Sequence, residues 1–246
     1  MAELVIPLES IYSPLCSSIF INLREDGHGC SNNCSFCVWK KTNFIYDYFS
    51  STFIVPTDKD IEDFFKYSRR KCVTLSGGGE PLYEFTKNKD VLKRIVDKLH
   101  SMGREIELIT RDYNTLVSNF DEINSMFDKF SFSIGACDPK ITNIMEKIGR
   151  ERVRVSYITD GTSEDLSYAD KLFNFYKPYI RKFYLKENYM NPMKKEEFNA
   201  SKKFCEERDI FFGSINDYEL ILIGNKIGTT KWINDIFRKE FNNGTL

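Results

Sequence analysis

Along most of this chain, short runs of β-forming residues alternate with stretches whose apolar residues recur at helical spacing. Residues 17–23 (Ser-Ser-Ile-Phe-Ile-Asn-Leu) read as a first strand, and 71–75, 106–110, 130–134, 153–158 and 180–185 as five more. Helices are expected over 60–70, 90–102, 113–127, 140–148, 166–176 and 196–208. In the second of these, Val91, Leu92, Ile95, Val96 and Leu99 share one side, and Gly103 supplies the stop. Residues 43–55 are aromatic and without a clean period, so they read as a loop or hairpin, and 210–213 as a short strand.

Regular alternation of strand and helix predicts a parallel sheet with right-handed crossovers. Six or seven units are fewer than a closed eightfold barrel requires. The expected fold is therefore α/β, a partial, open (β/α)6-type TIM barrel. The pattern changes at the carboxyl end. Residues 218–223, Gly224-Asn225 and 226–230 read as a β-hairpin on a two-residue turn, with a helix over 232–241. One domain is expected: the barrel over 1–215, with the hairpin and helix of 216–246 packed on it, covering part of the barrel or an edge strand.

A length of 246 residues, 41% of them hydrophobic, suffices for a full α/β core. Formal net charge is −1 and no single-sign block stands out, which disfavours nucleic acid or an acidic membrane as partner. The amino-terminal stretch carries an acid early and no long apolar run, so neither a signal peptide nor a spanning helix is expected. A soluble, cytoplasmic protein is the expectation. Seven cysteines fit a reducing compartment better than a disulfide scaffold. Cys16, Cys72, Cys137 and Cys205 stand alone and read as small buried side chains, which leaves a second cluster unsupported.

The other three cysteines lie within eight residues, Cys30-Ser-Asn-Asn-Cys34-Ser-Phe-Cys37, following the first predicted strand. The residues between them form loops rather than helices. A loop can wrap three thiolates around an iron–sulfur cube, leaving one of its four irons without a protein ligand. Structural zinc, with His28 as fourth ligand, is the competing reading, and three unrelated buried thiols a further one. A second motif, Ser76-Gly77-Gly78-Gly79-Glu80-Pro81, follows the second strand. Its glycines permit close backbone approach and unusual dihedrals, although such a run alone is only a turn.

Together the two motifs resemble those of the radical S-adenosylmethionine (radical SAM) family: a CxxxCxΦC loop with Phe36 as the aromatic, then a GGE motif after the second strand. The resemblance implies a [4Fe-4S] cluster on Cys30, Cys34 and Cys37, with SAM chelating the open iron through its amino and carboxylate groups. It also implies a cofactor site of Phe36, Gly77, Gly78, Gly79, Glu80 and Pro81, the glycine carbonyls meeting the SAM amino group. Polar residues at later strand ends, Thr110, Ser133 and Tyr157, are expected to contact SAM, with Ile158 as an alternative apolar wall under adenine. Lys186, Glu187 and Asn188 are candidate substrate contacts. His28 and His100 are poor catalytic candidates, because the radical step needs no side-chain acid or base.

The implied reaction is reductive cleavage of SAM to a 5′-deoxyadenosyl radical that abstracts hydrogen from a substrate. An external one-electron donor of the flavodoxin or ferredoxin type is implied as partner. A small-molecule or nucleotide substrate is favoured. The alternatives are a glycyl-radical activase acting on a partner protein, a peptide- or nucleic-acid-modifying enzyme, and a non-catalytic metal-binding module.

Overall fold

The computed structural model describes residues 2–5, 17–25, 27, 29–32, 34, 37, 53–188, 191–213 and 220–229. The chain is mixed α/β, its strands mostly parallel, and it divides into two compact units, 1–128 with 216–246, and 129–215. The expected helix over 232–241 and most of the loop expected over 43–55 lie outside the described residues.

In the first unit, β1 (Glu3–Leu4), β2 (Ser17–Ile21), β3 (Cys72–Gly77), β4 (Glu105–Thr110), β9 (Leu220–Ile223) and β10 (Lys226–Thr229) run in the order β1-β10-β9-β2-β3-β4. All neighbours are parallel except the β9–β10 hairpin, which turns at Gly224 with φ 54. The hairpin pairs β9 with β2, so it extends the sheet along an edge that β2 would otherwise expose. Helix α1 (Asp58–Phe64) begins in a capping box: the Thr57 hydroxyl accepts from the Asp60 amide and the Asp60 carboxylate from the Thr57 amide. It ends six residues before the periodicity does. Lys66 and Tyr67 already make tighter bonds to Asp63 and Phe64, and the Ser68 hydroxyl is held 2.6 Å from that of Ser17.

Helix α2 (Phe85–Ser101) starts five residues earlier than its apolar pattern suggests. Its first turns look polar in sequence, yet Asn88 is buried, donating to the Tyr83 carbonyl at 2.9 Å. The expected helix over 113–127 is two helices, α3 (Tyr113–Ser118) and α4 (Phe120–Met126), separated at Asn119, whose φ of −126 is not helical. Strand alternation divides the faces of the sheet. Ile19, Val73, Leu75, Ile106 and Leu108 are fully buried, as are Ile61, Phe64, Ile95 and Leu99 of the helices.

The second unit is entirely parallel, in the order β5 (Lys129–Ser133), β6 (Val153–Thr159), β7 (Lys182–Glu187) and β8 (Phe211–Gly213). Helices α5 (Pro139–Ile148), α6 (Ser163–Tyr176) and α7 (Lys195–Arg208) alternate with these strands. Phe130, Phe132, Val155 and Leu185 are buried on one face of this sheet, and Leu172 and Tyr176 of α6 are also fully buried. No helix of the described residues is long and apolar enough to cross a membrane.

Candidate functional site

Parallel pairing fixes where the two motifs meet. β2 and β3 are in register with Ile21 beside Gly77, so the loops that follow them leave the sheet from adjacent positions at the same end. The sequence after β2 carries the three thiols, and the sequence after β3 carries the glycines. Continuing the pairing of Leu75 with Leu108 brings Thr110, the last residue of β4, to the same level as Gly77.

The two loops are fastened to each other through their backbones. The Glu80 amide donates to the Gly29 carbonyl at 2.7 Å, and the Gly29 amide donates to Asn22 Oδ1 at 2.7 Å. Asn22, fully buried, also donates through Nδ2 to the Gly27 carbonyl at 2.8 Å, and its backbone bridges to Ile54 in both directions. Asn22 thereby sets the path of the chain into the cysteine loop. The approach leaves no room for side chains. A Cβ on Gly79 would lie 2.7 Å from the Gly29 carbonyl oxygen, and one on Gly77 would lie 1.4 Å from the Gly79 carbonyl oxygen.

Glu80 is 6% exposed and ties the glycine loop to the end of β4. Its Oε1 accepts from the Thr110 hydroxyl at 2.6 Å and from the Leu82 amide at 3.3 Å, and its Oε2 from the Arg111 amide at 3.0 Å. Burial pushes its carboxyl up to about 7, against the pull of these three donors. The Arg111 side chain crosses to the cysteine loop, where Nη1 lies 3.0 Å from Cys34 Sγ. Asn22, Gly29, Glu80 and Arg111 thus form one continuous polar link among three strand ends.

Cys30, Cys34 and Cys37 are half-buried thiols outside any disulfide, and the Cys37 amide donates to the Cys34 carbonyl at 3.2 Å. Three thiols on one loop are the soft donor set that iron–sulfur clusters take. In the glycine run, backbone oxygens of Gly79 and Gly29 already take the space that a Cβ would need at Gly77 and Gly79. The residues present fit the group. Phe36 and His28 lie outside the described residues.

Elsewhere the sequence-based candidates have local partners. Gly78 and Pro81 are buried in the glycine loop. Thr110 is spent on Glu80, and the Asp112 amide donates to its oxygen at 2.9 Å. In the second unit, Ser133 is half-buried at the end of β5, in register with Ser156. The Tyr157 hydroxyl donates to Asp165 of α6 at 2.5 Å, and the ring meets that of Tyr168 edge-on. Burial, and then the Asp165 carboxylate, push this phenol well above its ordinary value. Ile158, next along β6, is half-buried. Glu187 is buried and accepts from the Met193 amide at 3.1 Å, while the Asn188 amide donates to the Thr159 carbonyl. Lys186 is half-buried in β7, and His100 lies on the last turn of α2, 3.0 Å from Asp128. Among the isolated cysteines, Cys205 is buried, Cys72 and Cys137 are partly exposed, and Cys16 lies outside the described residues.

Sequence reasoning missed Asn22 and Arg111. Asn22 is the penultimate residue of the first predicted strand and Arg111 directly follows the third, at the end where the motifs sit, and that position was the available signal. Compared with known proteins, the chain matches no family model and no curated protein.

Proposed function

We infer that this chain is a radical SAM enzyme, with the partial, open (β/α)6-type barrel and carboxyl-terminal hairpin–helix appendage that its sequence suggests. The reading is carried by the 2.7 Å bond from the Glu80 amide to the Gly29 carbonyl, which draws the glycine loop against the loop of three thiols. Cys30, Cys34 and Cys37 would hold a [4Fe-4S] cluster. When bound, the cluster would supply one-electron reduction of SAM, drawn from an external flavodoxin- or ferredoxin-type donor, the chemistry that gives methionine and a 5′-deoxyadenosyl radical for hydrogen abstraction from a substrate.

The chain's own contribution is positional. The Gly77–Gly79 backbone, which the missing Cβ atoms allow to fold closely on itself and on Gly29, would offer carbonyls to the SAM amino group. Phe36, Pro81 and Thr110 complete this cofactor site in the reading. Glu80 and Asn22 keep the two loops in register so that cofactor and thiols meet in one geometry. The favoured substrate is a small molecule or nucleotide, and the reaction is that of a cytoplasmic enzyme.

Anaerobic loading of the full chain with iron and sulfide, followed by SAM and dithionite, tests this reading. Release of 5′-deoxyadenosine and methionine is expected, and its loss with Cys34→Ala. A chain that holds an intact cluster yet cleaves no SAM removes the enzyme reading. Four protein ligands on a single tetrahedral metal in the anaerobically purified protein would establish a metal-binding module instead.

A further inference from the structure

We propose that Arg111 is a positioning residue that hydrogen-bonds the Cys34 sulfur and so raises the reduction potential of a cluster held there, an inference that rests on the reading of Cys34 as a cluster ligand. The Nη1–Sγ separation is 3.0 Å. A guanidinium keeps its positive charge throughout the physiological range and donates in a rigid fork, so its interaction with a thiolate is charge-assisted.

The placement is built into the fold. Arg111 directly follows Thr110, the last residue of β4. Thr110 turns its hydroxyl to Glu80, which also accepts the Arg111 amide at 3.0 Å. Asp112 then caps α3 by accepting from the Thr115 amide at 3.0 Å and the Thr115 hydroxyl at 2.7 Å. Fixed on both sides, the backbone of Arg111 leaves its half-buried side chain directed at the cysteine loop.

Reduction adds one negative charge to a cluster. A cation held against one of its thiolates favours the reduced form, and a hydrogen bond to sulfur acts in the same direction. The chain therefore combines a thiolate set that accumulates negative charge with one arginine that offsets part of it.

The test is an EPR-monitored redox titration of the reconstituted full chain, with iron and sulfide content and the Fe–S(Cys) stretching frequencies by resonance Raman, for the native protein, Arg111→Gln and Arg111→Lys. The expected result is a more negative potential in Arg111→Gln. Its oxidised-to-reduced equilibrium should move at least tenfold, 59 mV for a one-electron couple. A higher Fe–S(Cys) frequency should accompany this, with Arg111→Lys between the two. A purely structural role would lower stability and cluster content but leave the frequency in place. Full cluster content with unchanged potential and frequency in Arg111→Gln overturns the proposal and leaves the enzyme reading intact. Where the Gln variant holds no cluster, Arg111→Lys decides: native values for both quantities overturn it. A native chain that takes up no iron and sulfide overturns the enzyme reading, and this proposal with it.

Discussion

Gly79 and Gly29, fifty residues apart in sequence, approach so closely that a methyl group on Gly79 would sit 2.7 Å from the Gly29 carbonyl oxygen. The loop after one strand is thus packed, backbone to backbone, against the loop after its neighbour. Gly79→Ala is expected to push the loops apart, at a cost of about 1–3 kcal/mol from overpacking. Gly77→Ala should be worse, since its Cβ would fall 1.4 Å from the Gly79 carbonyl oxygen. Denaturant unfolding and iron content after reconstitution measure both. Native stability and cluster content in Gly77→Ala would show that the loops have room.

Asn22 spends both ends of its amide on the entry to the cysteine loop, at Gly27 and Gly29. Asn22→Ala removes the acceptor of the Gly29 amide and a donor to the Gly27 carbonyl, and a buried group left unsatisfied costs about 1–3 kcal/mol. Lower cluster retention should accompany this loss, readable by iron analysis. Asn22→Asp restores the acceptor but not the donor and is expected to fall between.

Glu80 makes the first unit's stability depend on pH. Its folded-state value is raised by burial from the ordinary 4.5 to about 7, so the folded chain binds this proton more tightly than the unfolded chain. Stability contributed here is fully present below about 4.5 and declines as pH rises from there through about 7. Glu80→Gln carries no such proton and should flatten that segment of the profile, measured by urea unfolding at a series of pH values. An identical slope in native protein and variant would show that another group is responsible.

Tyr157 offers a separable outcome in the second unit. Its hydroxyl donates to Asp165, and a hydrogen bond to a charged group is worth about 1.5–3 kcal/mol. Tyr157→Phe is expected to lose about that much stability while SAM affinity, measured by equilibrium binding, changes little. A large fall in affinity at native stability would instead assign the hydroxyl to the cofactor.

Apart from β1, which no expected strand covers, strand positions were legible to within two or three residues, because a buried parallel strand needs a short apolar run and little else. Helix limits were less so. The polar start of α2 hides Asn88, whose burial depends on the Tyr83 carbonyl, and α1 stops where Ser68 meets Ser17 across the fold. Neither bond has a periodic signature.

The sequence by itself determined the order of strands and helices, the spacing of three thiols and the glycine run, since each is written in residue type and local separation. Only the tertiary structure decided which residues join those motifs. Asn22, Gly29, Glu80 and Arg111 meet because parallel strands in register deliver their carboxyl ends to one place, and hydrogen bonds spanning tens of residues leave no trace in local pattern.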